Sequence, residues 1–166
     1  MGWIKGNFDG ATKGNLKKAR CGGIIRDHLG NAIDAIAIPI GISTSHRAEA
    51  IIALYTMRLA VKTGNKCLWM EGDSLNIINM LNDKTPSTWT IEDSIMEIKT
   101  LPTNFEKVIF SHSYREGNVI ADWIAKRDVQ GDSTLSWHND LRSNMNLKCL
   151  INYDGTYATD GKIFQV

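Results

Sequence analysis

The stretch Ala32-Ile33-Asp34-Ala35-Ile36-Ala37-Ile38-Pro39-Ile40-Gly41-Ile42-Ser43-Thr44-Ser45-His46-Arg47-Ala48-Glu49-Ala50-Ile51-Ile52 changes its apolar period midway, and that change decides the fold. Ala32 to Ile40 reads as a strand ending near Pro39. Beyond it, Ala48, Ile51, Ile52, Tyr55 and Leu59 recur at the spacing of one helix face. Thr44 or Ser45 can cap the start of this helix, and Gly64 is a plausible stop. A run of strands therefore gives way here to alternating helix and strand.

Upstream, Ile4 to Ala11 reads as a first strand, with Ile4, Gly6, Phe8 and Gly10 on one face and Asn7 and Asp9 on the other. Lys13-Gly14-Asn15 forms a turn, and Cys21 to Arg26 is a second strand. Its Gly22-Gly23 pair points to close backbone approach or a bulge. Asp27 to Asn31 makes the hairpin connection to the third strand, so the opening is an antiparallel meander. Downstream, Cys67 to Gly72 is a short strand, apolar on both faces and so central. Helices follow from about Ser74 to Asn82 and across Ile91, Ile95, Ile98 and Leu101. Phe105 to Tyr114 is a strand with Val108, Phe110, His112 and Tyr114 on one side, which turns His112 toward the core. After the turn Arg115-Glu116-Gly117-Asn118, which ends in a capping residue, a helix runs from Val119 to about Arg127. The order βββαβα(α)βα gives an α/β domain with a five-stranded mixed sheet, antiparallel for three strands and then parallel, with flanking helices.

At 166 residues the chain is read as one domain over residues 1–127, with a C-terminal extension over 128–166 packed on it. A hydrophobic content of 43% and a net charge of +1 exclude a strongly basic protein, so any nucleic-acid affinity must come from a local patch. Lys13, Lys17, Lys18 and Arg20 form the one dense basic cluster, equally a solvated loop or a phosphate contact. Three scattered cysteines (Cys21, Cys67 and Cys149) suit a reducing, intracellular setting, with the compartment open. No zinc, Walker or Rossmann signature is present, and no apolar leader or membrane-spanning run follows Met1. The abrupt start fits a domain cut from a longer chain.

Four carboxylates stand at the edges of these elements: Asp9, Glu49, Asp73 and Asp122. Each has an ordinary explanation. Asp9-Gly10 suits a turn, Glu49 suits the first turn of a helix, Asp73 can cap the next helix, and Asp122 also lies near a helix start. In open α/β sheets, however, functional groups gather beyond the carboxyl ends of central strands and at adjacent helix starts. Four converging carboxylates repel one another unless a hard divalent cation joins them. No compensating cluster of Arg or Lys is evident in these segments apart from Arg47 and Arg115. Metal binding is the better reading, with Mg²⁺ or Mn²⁺ suited to an all-oxygen site.

Trp3-Ile4-Lys5-Gly6-Asn7-Phe8-Asp9-Gly10-Ala11, Gly22-Gly23-Ile24-Ile25-Arg26-Asp27, Ala48-Glu49-Ala50, Glu71-Gly72-Asp73-Ser74 and Arg115-Glu116-Gly117-Asn118 with Ala121-Asp122-Trp123-Ile124-Ala125 resemble, in order and spacing, a type 1 ribonuclease H domain of the plant reverse-transcriptase-like subgroup. The resemblance covers roughly residues 3 to 127. It implies a ribonuclease H-like fold and cleavage of the RNA strand of RNA–DNA hybrids, using two divalent ions about 4 Å apart. It further implies that Asp9 bridges the ions, that Asp73 and Asp122 are additional ligands, and that Glu49 joins one ion and meets the ribose 2′-hydroxyl. A mobile His112 or Arg115 would assist turnover, with Arg115 favoured. Asn15 and Thr44 match positions that contact substrate.

Several substrate-facing motifs depart from the family. Asn15-Leu16-Lys17 replaces Asn-Pro-Gly, Leu75 replaces a polar residue, and Pro86 to Thr90 is too short and neutral for a basic protrusion. These changes bear on hybrid affinity more than on chemistry. The alternative reading is therefore a weak or inactive module that binds nucleic acid or a protein partner; no membrane partner is expected. Trp69 and Trp123 are read as core rather than base-stacking residues, and Trp89 stays open. Ile151 to Thr156 echoes the first strand's Asn7-Phe8-Asp9-Gly10, and an Asp-Gly turn is its simpler reading.

Overall fold

The computed structural model describes residues 2–12, 17–126 and 134–136. Asn15 and the Ile151–Thr156 echo lie outside these residues, as does nearly all of the C-terminal extension. The elements in chain order are β1 (Trp3–Thr12), β2 (Lys17–Arg26), β3 (Ala32–Ser43), α1 (Ser45–Lys62), β4 (Cys67–Gly72), α2 (Leu75–Leu81), α3 (Glu92–Thr100), β5 (Lys107–His112), α4 (Val119–Lys126) and a two-residue β6 (Leu135–Ser136). Short 3₁₀ turns at Leu101–Asn104 and Arg115–Gly117 lead into β5 and α4.

The strands lie in the order β5-β4-β1-β2-β3-β6. β1, β2 and β3 are antiparallel neighbours, while β4 and β5 run parallel to β1. All five expected strands are present in the expected mixed sheet, and β6 pairs with Ile36 and Ala37 at the far edge. The meander is longer than its apolar residues suggested. β2 begins at Lys17, where Lys17, Lys18 and Arg20 pair with Ser43, Ile42 and Pro39 of an equally extended β3. Those three basic residues therefore belong to a strand and not to a loop.

One face of the sheet carries α1, α2 and α3 over the main core, in which Ile4, Phe8, Ile25, Ile52, Met57, Leu68, Met70, Ile77, Ile95 and Ile98 are buried. Each such aliphatic side chain contributes about 1.5–3 kcal/mol of burial free energy. Arg58 binds Glu97 with Nε and Nη2, at 2.9 and 2.6 Å, and so ties α1 to α3. The other face carries α4, which packs Ile120 and Ile124 on Ile24, Ala35 and Ala37. Trp123 adds to that second core and is half-buried, in keeping with a packing role. Trp69 is half-buried too, donating its indole N–H to Ser111. Trp89 is 87% exposed.

The Gly22-Gly23 pair resolves as close approach. A Cβ on Gly22 would lie 2.5 Å from the Ala125 backbone nitrogen in α4, and one on Gly23 would collide with Thr56 in α1. Helices thus press on β2 from both faces, while the register irregularities fall at Ala19/Arg20 and Ile25/Arg26. No helix among the described residues is long and apolar enough to cross a membrane.

Candidate metal centre

The parallel register sets Phe8 beside Gly72, so the next residues, Asp9 in β1 and Asp73 just past β4, lie next to each other at one end of adjacent strands. Asp9 is inside β1, opposite Gly22, and the strand continues to Thr12. An Asp-Gly turn is therefore excluded. Asp73 does not cap α2 either: Ser74 occupies that position.

Glu49 comes from α1, in its second turn rather than the first, because the helix already begins at Ser45. Thr44 is the cap, accepting from the Arg47 backbone N–H at 3.2 Å. A helix dipole acting on its first turn is thus a weak account of Glu49. What brings Glu49 inward is Gly10, where a Cβ would lie 2.7 Å from the Glu49 backbone nitrogen. The Gly10 backbone also hydrogen-bonds the Glu49 carboxylate.

Asp9, Glu49 and Asp73 each offer a carboxylate oxygen within 4.8 Å of the others. Asp9 and Glu49 are buried and Asp73 is partly so. Burial, followed by the charges of Asp73 and Asp122, pushes the Asp9 pKa from 3.8 up to about 7. Burial and the charges of Asp9 and Asp73 likewise raise Glu49 well above the usual carboxylate range, partly offset by the Gly10 hydrogen bond and the Arg115 charge. The buried Cys21 thiol, beside the same acids, is pushed upward by burial and by Glu49 and Asp9.

Asp122 is in the first turn of α4 and its charge helps to raise the Asp9 pKa, yet it lies outside the three-acid cluster. Its Oδ2 is 2.6 Å from Lys126 Nζ. The i,i+4 spacing was the available signal for this cation, which the sequence reading passed over.

His112 is not turned to the core. It ends β5, exposed, with Nε2 at 3.1 Å from the Asp73 carbonyl oxygen and its ring edge-on to Tyr114. Arg115 Nε donates to Asp73 Oδ2 at 3.3 Å, with its side chain 89% exposed. Both candidates for turnover therefore border the same aspartate. Thr44, exposed and engaged as a cap, is not part of this cluster.

The donor set fits a hard divalent cation. It is all oxygen, partly withdrawn from water, and short of positive charge. Glu49 Oε2 is buried with no hydrogen-bond partner, an arrangement that is costly unless a cation or proton meets it.

The sequence matches the family described as reverse transcriptase-like over residues 7–128. An Arabidopsis thaliana protein named for ribonuclease H is 28% identical over 125 residues, 75% of this chain and 20% of that protein. The chain thus spans about one fifth of that relative. The crystal structure of RNase H1 from the halophilic archaeon Halobacterium salinarum superposes with a TM-score of 0.70 at 24% identity, over 75% of this chain and 95% of that one. LC11-RNase H1, solved in complex with an RNA/DNA hybrid, gives 0.67 at 23% identity, over 73% and 92%. The ordered motifs, the mixed sheet and these matches agree that the chain belongs to the reverse transcriptase-like family and has the ribonuclease H fold.

Proposed function

We propose that this domain is a metal-dependent endonuclease that cleaves the RNA strand of RNA–DNA hybrids. The observation that carries the reading is the convergence of Asp9, Glu49 and Asp73, with Asp122 alongside, on one end of the central strands. Asp9, Glu49, Asp73 and Asp122 would hold Mg²⁺ or Mn²⁺, as two ions. When bound, such ions activate water and stabilise the leaving oxygen in an in-line displacement.

The protein's own groups supply the rest. Asp9, whose carboxylate is crowded by the charges of both other aspartates, would be a ligand for the ions. Glu49 has one oxygen held by Gly10, leaving Oε2 for a ligand and for the ribose 2′-hydroxyl, which distinguishes RNA from DNA. Arg115 rests on Asp73 with its side chain exposed, and it would assist turnover by meeting a departing phosphate. LC11-RNase H1, whose fold this chain shares, was crystallised with the hybrid, which supports that substrate class.

Incubation of the chain with labelled RNA–DNA hybrid and Mg²⁺ or Mn²⁺, beside Asp73→Asn, tests the proposal. Cleavage abolished by chelator and by the substitution is expected. Equal cleavage by both proteins, or none by either, contradicts it.

A further inference from the structure

Directly inward of the carboxylates lies a buried polar network that the proposed chemistry does not use. Asn7 is fully buried, and Asn118, Arg26, Lys5 and Glu71 are each less than a tenth exposed. Arg26 Nη2 donates to Asn7 Oδ1 at 2.6 Å. Asn7 Nδ2 donates to Asn118 Oδ1 at 3.2 Å, with Glu71 Oε2 at 3.5 Å. Lys5 Nζ completes the chain 2.7 Å from the same Glu71 oxygen. Asn118 Nδ2 in turn donates to the Phe8 carbonyl at 2.9 Å. That carbonyl belongs to the peptide bond joining Phe8 to Asp9.

Asn7 is two residues before Asp9 on the same strand face, Glu71 is two before Asp73, and Asn118 is four before Asp122. The Asp122 backbone N–H donates to the Asn118 carbonyl at 3.1 Å, so one helical turn links that pair. Asn7, Glu71 and Asn118 therefore each stand one structural step behind a carboxylate of the candidate site, and Arg26 and Lys5 pair with them from the side. Asn118 holds the position of a helix cap, yet its side chain crosses to β1 instead of turning back on α4. Burying such groups is costly, and an apolar core of equal volume is often the more stable choice. What such a hydrogen-bonded network adds is a unique register between the elements it joins.

We propose that Asn7, acting with Asn118, is a positioning residue that fixes β1, β4 and α4 in the register that brings Asp9, Asp73 and Asp122 together. The inference rests on the metal-dependent reading above. Asn7 touches neither metal nor substrate; it acts through the backbone that carries the ligands.

The test compares Asn7→Leu, Asn7→Ser and Asn118→Ser with the unaltered chain and with Ile98→Val, a core change in α3 remote from the carboxylates. Each is titrated calorimetrically with Mn²⁺ well below its melting midpoint, and kcat and KM are measured on hybrid. The expected result is a dissociation constant for Mn²⁺ raised about tenfold or more in the Asn variants, the scale on which supporting residues tune metal sites. A parallel fall in kcat with KM within about twofold is expected. Ile98→Val should lose melting temperature and keep its Mn²⁺ affinity. If Asn7→Leu does not fold, the serine variants carry the same comparison. Folded Asn variants that bind Mn²⁺ like the unaltered chain overturn the positioning role alone. Absence of Mn²⁺ binding by the unaltered chain overturns the metal reading, and the positioning role with it.

Discussion

Lys126 Nζ lies 2.6 Å from Asp122 Oδ2, so the fourth carboxylate of the proposed site already has a cation of the chain's own, one helical turn away. The side chains are 64% and 40% exposed, and an exposed i,i+4 pair of this kind is worth only about 0.3–0.5 kcal/mol. Lys126→Met should therefore tighten Mn²⁺ binding by about twofold, measured by calorimetric titration at low salt. A change of tenfold or more would mean that Lys126 does more than screen Asp122.

The raised pKa of Asp9 makes a signed prediction for the metal-free protein. A carboxyl group whose pKa is higher folded than unfolded favours folding while protonated. That stability is full below about pH 4 and is lost as pH rises toward 7. Asp9→Asn removes the penalty. In chelator, the variant should gain on the unaltered chain from pH 4 to pH 7.5, reaching an advantage on the order of a few kcal/mol. Thermal melts across that range check it. Constant spacing between the two melting curves would contradict the burial and crowding assigned to Asp9. Mn²⁺ should stabilise the unaltered chain more than the variant.

Gly22 tests the closeness of α4. A methyl group there meets the backbone of Ala125 and Ala121 as well as Ile124 Cγ2, so α4 must lift from the sheet and carry Asp122 with it. Gly22→Ala should cost about 1–3 kcal/mol in chemical denaturation. Hybrid cleavage should fall further than the lost folded fraction explains. A variant with native stability and activity would show that the helix has room to shift.

Arg115 and His112 both border Asp73, but through different atoms. Arg115 reaches the carboxylate and its charge bears on Glu49, whereas His112 reaches only the backbone carbonyl. Arg115→Ala should slow steady-state cleavage about tenfold or more, and His112→Ala should slow it less. Neither should shift the melting midpoint by much, since both side chains are exposed. The reverse ranking would transfer the turnover role to His112.

Much of this organisation is legible in the sequence. The switch from strand to helix near Thr44 is written in apolar period, and so are the helices flanking β4. Lys17, Lys18 and Arg20 were missed as strand residues because their ladder depends on the length of β3, a partner that local composition does not report. His112 followed a strict alternation that ends where β5 ends, so its side chain escapes the core. The four carboxylates were legible as a set because the expected order of elements gathers them beyond the central strands, although Asp9 lies inside β1 and Glu49 in the second turn of α1. The network behind them was not, since Asn7, Arg26, Glu71 and Asn118 meet only after β1, β2, β4 and α4 assemble. The one available sign was a polar Lys5-Asn7-Asp9 face on a strand destined for the centre of the sheet.

The most direct measurement of the central claim is anomalous diffraction at the manganese edge from crystals of the chain grown or soaked with Mn²⁺. The account predicts peaks bounded by Asp9, Glu49, Asp73 and Asp122, with Asp9 shared between two ions. Manganese found elsewhere, or none among these carboxylates at saturating concentration, would contradict it.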